Sequence, residues 1–343
     1  MYKGCSYRHI HITDALNMTS NQANNDARIA IFYEHPEWFK PMFAELNRRG
    51  IAYDEQLAFA HQYDPEERSN PYSLIVNRMS PSAFTRGHIH AIRYSLEYLA
   101  YLKEIGANVM NGYDAYQYEY SKARQIHLLH SLGIRYPRTR VINHVSQMID
   151  AAKGLIYPIV VKPNIGGSGA GIQLFESASE LESAVADEAI ELGIDHVALV
   201  QEYLPARGNS IVRVEVLNGK FLYAIRLHLD QAAPSFNLCP ADYCKPTLDE
   251  SSKGNADGVS GRNLLVEGYT PTRGVIENVL RIAHGAHIEV GGVEYLVNDR
   301  DGRAYYYDVN AMSNFVADAP NVIGFNPFTR LVDHILRLAG IVE

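Results

Sequence analysis

Apolar and polar positions along this chain repeat at two different periods, and their order outlines the architecture. Residues 28–32 form a short apolar run, and 38–49 set Met42, Phe43 and Leu46 at helical spacing ahead of Gly50. These read as a strand and a helix. Residues 74–77 and 107–110 read as further strands; between them 89–105 carry Ile92, Leu96 and Leu99 on one face ahead of Gly106. Strands alternating with helices predict a parallel sheet covered on both faces. A second unit opens near Ser121 with a helix carrying Ile126, Leu129 and Leu132 up to Gly133, followed by strands at 139–142 and 157–162. Ser179 and Glu182 have capping-box spacing for a helix through Leu181, Val185 and Leu192 that stops at Gly193.

From Val197 longer β segments take over, at 197–202, 211–217 and 221–227, the last two joined by Asn218-Gly219. Asn-Gly between alternating apolar residues is the strongest short hairpin signal. Residues 231–272 are rich in Gly, Asp, Ser and Asn with weak periodicity, which predicts a long loop. A helix at 275–286, a second hairpin from 293–298 and 304–310 around Asp301-Gly302, and a last helix opened by Pro327 complete the pattern. The expected divisions are a polar arm at 1–25, an α/β unit at 26–118, a small α+β unit at 119–196 and a larger one at 197–343.

With 47% hydrophobic and 20% charged residues, the composition is that of an ordinary globular protein. The formal net charge of -8 argues against a nucleic-acid backbone binder, which needs a basic face. Cys5, Cys239 and Cys244 fit neither a disulfide framework nor a zinc ribbon, so a reducing compartment is expected. The Asn-rich start lacks a signal-peptide layout, and no apolar run has membrane-spanning length. The expected location is cytoplasmic, with no membrane partner.

Three segments carry chemistry. In the first, an apolar strand leads through Lys162 into Gly166, Gly167, Ser168, Gly169, Ala170 and Gly171. Backbone N–H groups there can approach an anion unobstructed, and Lys162 can add its ammonium. The spacing matches neither a P-loop nor a dinucleotide fingerprint, and the segment reads as readily as a flexible turn ending an edge strand. In the second, Asp308 and Asn310 point to one face of a strand, and a preceding antiparallel strand can bring Glu294 beside them. Three hard oxygen donors suit magnesium; a solvated strand end is the alternative. In the third, the polar tip Gln201, Glu202, Tyr203, Leu204 of an apolar strand offers an edge and apolar walls to a nucleobase, or is a plain strand-to-loop junction.

Taken in order, these segments resemble the ATP-grasp superfamily, and within it the RimK-like carboxylate-amine ligases. The resemblance runs from about residue 73 to the end and includes Lys122 on a helix and Arg213 on the strand after the hinge. It implies an α/β and α+β chain of ATP-grasp fold with an N-terminal Rossmann-like pre-ATP-grasp domain. Lys122 and Lys162 would then hold ATP phosphates, the glycine loop would close over them, and residues 202–204 would bind adenine. Glu294, Asp308 and Asn310 would coordinate one or two magnesium ions, for which manganese can substitute, and Arg213 would face the transferred phosphate and acyl group. Two departures stand out. Ile211 replaces an acidic residue, so ribose contact falls to Asn209 or Ser210 or is absent, and Asn310-Ala-Met-Ser-Asn314 replaces a proline-glycine turn, which points to a different acceptor.

The resemblance implies a carboxylate attacking the γ-phosphate to give an acyl phosphate, which an amine displaces. The partners would be a small carboxylate and a small amine, amino acids or a peptide among them, in a chain of a family that often forms homo-oligomers. Arg78, Arg213 and Arg226 are candidate substrate or acyl-phosphate contacts because a guanidinium meets a carboxylate in two-pronged fashion; each also reads as a surface ion pair. Arg86 and His88, ahead of the second helix, are further candidate substrate residues but read more simply as solvated loop positions; His9 and His11, and His284 and His287, also read as solvated, since no further zinc ligands accompany them. Two other functions fit the same pattern: a nucleotide-binding regulatory or scaffold protein without ligation, and a ligase acting on a peptide or carrier protein.

Overall fold

The computed structural model of the chain describes residues 28–167, 169–229 and 265–342. The expected arm at 1–25, Ser168, the stretch 231–264, the three cysteines, His9 and His11 lie outside the described residues.

Among the described residues the strands form three sheets. The first is built from β1 (Ile29–Tyr33), α1 (Lys40–Arg48), β2 (Asp54–Leu57), β3 (Leu74–Arg78), α2 (Ile89–Glu104) and β4 (Val109–Met110). Its strands are parallel in the order β2-β1-β3-β4. β1 and β3 are buried throughout, as parallel strands covered on both faces must be. β2, Asp-Glu-Gln-Leu, is a polar edge strand that no apolar pattern announces.

The middle stretch holds α3 (Tyr113–Tyr120), α4 (Lys122–Ser131), β5 (Thr139–Ile142), α5 (Met148–Ala152), β6 (Ile159–Pro163), β7 (Gln173–Phe175), α6 (Ala178–Ala186) and β8 (Ala198–Glu202). Its four strands form an antiparallel sheet in the order β5-β8-β6-β7. β8 therefore belongs to this sheet and not to the larger unit expected from 197. The α6 cap is Ser177, which accepts from the Glu180 N–H at 3.2 Å, while Glu180 accepts from the Glu176 N–H at 2.7 Å. Both this pair and the expected Ser179 and Glu182 have the same spacing; the extended backbone at Ser177 selects the earlier one. The helix ends at Ala186, so Leu192 lies beyond it.

The third sheet contains β9 (Ser210–Leu217), β10 (Lys220–His228), β11 (Val266–Tyr269), β12 (Val290–Val297) and β13 (Ala304–Asn310), antiparallel in the order β11-β10-β9-β12-β13. α7 (Arg273–Gly285), α8 (Ala319–Ile323) and α9 (Pro327–Leu338) complete it. Asn218 and Gly219 turn the first hairpin with φ of 51° and 65°, the left-handed pair that matches strand twist. β11 lies inside the stretch expected as loop.

Packing does not follow the divisions along the chain. Ile126, Leu128 and Leu129 of α4 share a core with Val212, Val214 and Val309 of the large sheet and with Val279 and Ile282 of α7. Leu331, Val332 and Ile335 of α9 share another with Ile29, Ile31, Met42 and Ile225. Buried Asn111, at φ 50°, ties the parallel sheet to the start of β12. Its Oδ1 accepts from the Glu289 N–H at 2.8 Å, and its Nδ2 donates to the carbonyls of Val290, at 2.6 Å, and Ala311. Among the described residues no helix is long and apolar enough to cross a membrane.

Candidate active site

Three adjacent strands of the large sheet set polar residues in rows. Glu294 on β12 stands opposite Arg213 on β9 and Asp308 on β13; Gly292 stands opposite Glu215 and Asn310. Cross-strand partners share a face, so this face carries Arg213, Glu294 and Asp308 abreast, with Glu215 and Asn310 in the next row. Arg213 donates to Glu215 Oε1 at 2.7 Å, Glu294 Oε1 at 3.2 Å and Ser313 Oγ at 3.1 Å. Only a glycine fits between: a Cβ at Gly292 would sit 2.7 Å from Glu215 Oε1 and 2.8 Å from Arg213 Nε.

Two lysines reach this face from other elements. Lys122 Nζ donates to Asp308 Oδ1 at 2.9 Å, and Lys162 Nζ reaches the Tyr307 carbonyl at 3.4 Å. Lys122 sits in the first turn of α4, which Asn164 just past β6 holds by accepting from Ser121 Oγ and the Ala123 N–H, both at 2.9 Å. One side chain thus fixes the start of one lysine's helix beside the end of the other's strand. Gln125, one turn after Lys122, reaches along β13. Its amide donates to the Val309 carbonyl at 2.8 Å and accepts from the Val309 N–H at 3.1 Å, completing the main-chain pairing of an edge strand. Glu119, at the end of α3, accepts from the Ala311 and Met312 N–H groups at 2.6 and 3.3 Å. Asn164, Gln125, Glu119 and Glu215 carry no motif in the sequence; the helical spacing of Gln125 from Lys122 and the strand alternation that sets Glu215 on the face of Arg213 are the signals that place two of them near the site.

Like charges crowd here. Burial first, and the Asp308 charge second, push both Glu294 and Glu119 up to about 7. For Asp308 burial acts upward too, but Lys122 and Lys162 together hold it below the usual carboxylate range. Burial, then the Lys122 charge, lowers Lys162 to about 8. Lys122 feels the same burial, yet Asp308, Glu119 and Glu294 carry it above its ordinary value. The carboxylates are short of positive charge, a condition a divalent cation relieves. Among the described residues no three His, Cys, Asp or Glu side chains are arranged to cage an ion. Two carboxylates in register and one amide oxygen do fit magnesium, which keeps several water or phosphate ligands.

Other expected residues take varied positions. Gly166, Gly167, Gly169 and Gly171 follow β6, with Gly169 and Gly171 at φ 72° and 75°. The Glu202 and Tyr203 N–H groups donate to the carbonyls of Arg138 at 3.0 Å and Pro158 at 2.9 Å. Gln201 Nε2 donates to Thr139 Oγ1 at 2.7 Å, and Leu204 is buried. Asn209 is exposed at the entry to β9. Arg78 ends β3 fully buried, donates to the Ser313 carbonyl, and leaves Nε and Nη1 without partners. Arg226 is not brought to this face. It pairs with Val212, one residue out of step with Arg213, so strand alternation turns it to the other side. There it meets Glu267 at 3.2 Å and lies over the Tyr269 ring at 4.0 Å. Arg86 and His88, expected to be solvated, instead hold the buried carboxylate of Glu34 at 2.5 and 2.6 Å.

Residues 120–232 match the family described as RimK-like ATP-grasp domain. A probable alpha-L-glutamate ligase of Teredinibacter turnerae is 26% identical over 208 residues, 59% of this chain and 67% of the relative. One of Marinomonas sp. is 28% identical over 156 residues, 42% of this chain and 50% of the relative, so the match spans only half to two thirds of these proteins. The structure of the ATP-grasp ligase PsnB, complexed with a phosphomimetic variant of its minimal precursor, Mg and ADP, superposes with a TM-score of 0.64 at 16% identity, covering 92% of this chain and all of that one. The chain has the ATP-grasp fold, and its likeness to the RimK-like ATP-grasp family extends over residues 120–232.

Proposed function

We propose that the protein is an ATP- and magnesium-dependent carboxylate-amine ligase. A carboxylate oxygen attacks the γ-phosphorus of ATP to give an acyl phosphate and ADP; an amine then attacks the acyl carbon, phosphate leaves and an amide forms. The observation that carries this reading is the meeting of Lys122 and Lys162, from two elements far apart in the chain, with Glu294, Asp308 and Asn310 on one sheet face.

Most of the work such a reaction asks of a protein is electrostatic. Lys122 and Lys162 hold the phosphates, and the glycine-rich segment, whose side chains are only those of Ser168 and Ala170, covers them and keeps water from the acyl phosphate. Adenine lies against the main chain of residues 203–204, just past the paired end of β8, and the Leu204 side chain, with Asn209 toward the ribose. Glu294, Asp308 and Asn310 would hold magnesium, as one ion or two, which would supply positive charge against that developing on the phosphates. Arg213, fixed by Glu215 and Ser313, faces the transferred phosphoryl group. Arg78, whose unpartnered N–H groups lie beside Ser313, is directed at the carboxylate substrate.

The test is incubation of the protein with ATP, magnesium and pooled amino acids and small acids, read by ADP release and mass spectrometry of the products. ADP and phosphate released only with both an acid and an amine present, together with a new amide, is the expected result. Release of AMP and pyrophosphate, or wild-type turnover in Asp308→Ala, overturns the mechanism.

A further inference from the structure

We propose that Ser82 is a positioning residue for the glycine segment: the turn Pro81–Arg86 at the end of β3 is the seat against which Gly167 rests. This deepens the reading of that segment as the cover of the ATP phosphates and rests on it.

The Gly167 backbone lies against the Cβ and main chain of Ser82. A Cβ built on Gly167 would lie 2.7 Å from Ser82 Cβ, 3.3 Å from its Cα and 3.4 Å from its N. Gly169 and Gly171 have left-handed φ, but Gly167 does not, so its own conformation accepts a side chain and Ser82 is what excludes one. The seat is firmly held. Ser80 caps the turn, its Oγ accepting from the Ser82 N–H at 3.3 Å and lying 3.0 Å from Ser82 Oγ. Arg86 Nη2 donates to Ser82 Oγ at 3.2 Å and to Glu34 Oε2 at 2.5 Å, and His88 meets Glu34 Oε1 at 2.6 Å. Burial alone would lift the Glu34 carboxyl, but its bonds to Arg86 and then His88 hold it low. Glu34 directly follows β1, so the seat is pinned to the carboxyl ends of two parallel strands, where open α/β sheets receive ligands. A segment that must cover phosphates in one defined place is thus supported by a different unit from the one that supplies it.

The experiment uses the full chain and four variants: Gly167→Ala, Ser82→Gly, the two combined, and Lys162→Ala as the control for the nucleotide site. Mg-ADP binding is followed by calorimetry, and hydrogen–deuterium exchange is followed at 80–88 and 165–167. Gly167→Ala should weaken Mg-ADP binding about tenfold, the scale of one overpacked contact. Ser82→Gly alone should cost about threefold or less. The double variant, which removes the atom the new methyl would strike, should return to about threefold of wild type, with nucleotide lowering exchange in both segments as in the unaltered chain. A Gly167→Ala protein that binds like wild type, or a folded double variant no better than Gly167→Ala, overturns the role of Ser82 while the ATP site stands. Should the wild type bind Mg-ADP no better than Lys162→Ala, both readings fall together.

Discussion

Lys162 has lost most of the water that keeps an ammonium charged, and Lys122 stands nearby, so it gives up its proton at about 8. Phosphate binding needs the charged form. Affinity for Mg-ATP should therefore be level up to that pH and decline above it. Lys162→Arg, whose guanidinium keeps its proton, should bind more weakly at neutral pH but show no such decline; a fluorescence titration up to about pH 9.5 distinguishes the two. Folding responds with the opposite sign. The unfolded lysine keeps its proton up to about 10.4, so between the two values the unfolded chain binds more protons and this residue's contribution to stability rises with pH. Removing the ammonium altogether in Lys162→Ala should weaken Mg-ATP about 10- to 100-fold, the worth of a charge-assisted contact. Lys162 was legible because an apolar strand running into glycines is an uncommon pattern. Glu119 was not: it acts on main-chain N–H groups 192 residues away, and nothing local distinguishes a carboxylate that caps a distant turn from a solvated one.

β13 is an edge strand completed by a helix. In Gln125→Leu the Val309 N–H and carbonyl lose their partners while buried, which should cost about 2–4 kcal/mol in urea unfolding. It should also lower turnover in the ADP-release test of the proposed reaction, since α4 carries Lys122 to Asp308. Gly292→Ala is expected to do the reverse: a modest loss of stability but at least about a 10-fold fall in turnover, as its methyl group displaces Arg213 from Glu215. Comparing unfolding midpoints with ADP release separates the two outcomes. At this scale the periodic elements were read well, because both hairpins and the helix opened by Pro327 have apolar positions that recur at the period of their element. The polar edge strand β2 and the short β7 escaped, having too few apolar positions to show a period. Arg226 was misplaced by one residue of register, which in a strand is a whole face.

The molecule is held together by cores that run across its three sheets, so units drawn as consecutive stretches of sequence miss their packing: a helix can lie early in the chain and cover a sheet made late. Asn111 is one rivet of this assembly. Asn111→Asp keeps the acceptor for Glu289 but turns an oxygen toward the carbonyls of Val290 and Ala311, and should cost about 3 kcal/mol or more in unfolding experiments. The division between cations and oxygen donors has a consequence for the chain as it is made. Lys122, Lys162 and Arg213 emerge from the ribosome well before Glu294, Asp308 and Asn310. An unfinished chain can thus present phosphate-attracting charge with nothing to hold the metal, and the underside of the nascent sheet meets its remaining cover only as α7 is added. Assembly of the candidate site is in this way withheld until translation has passed β13.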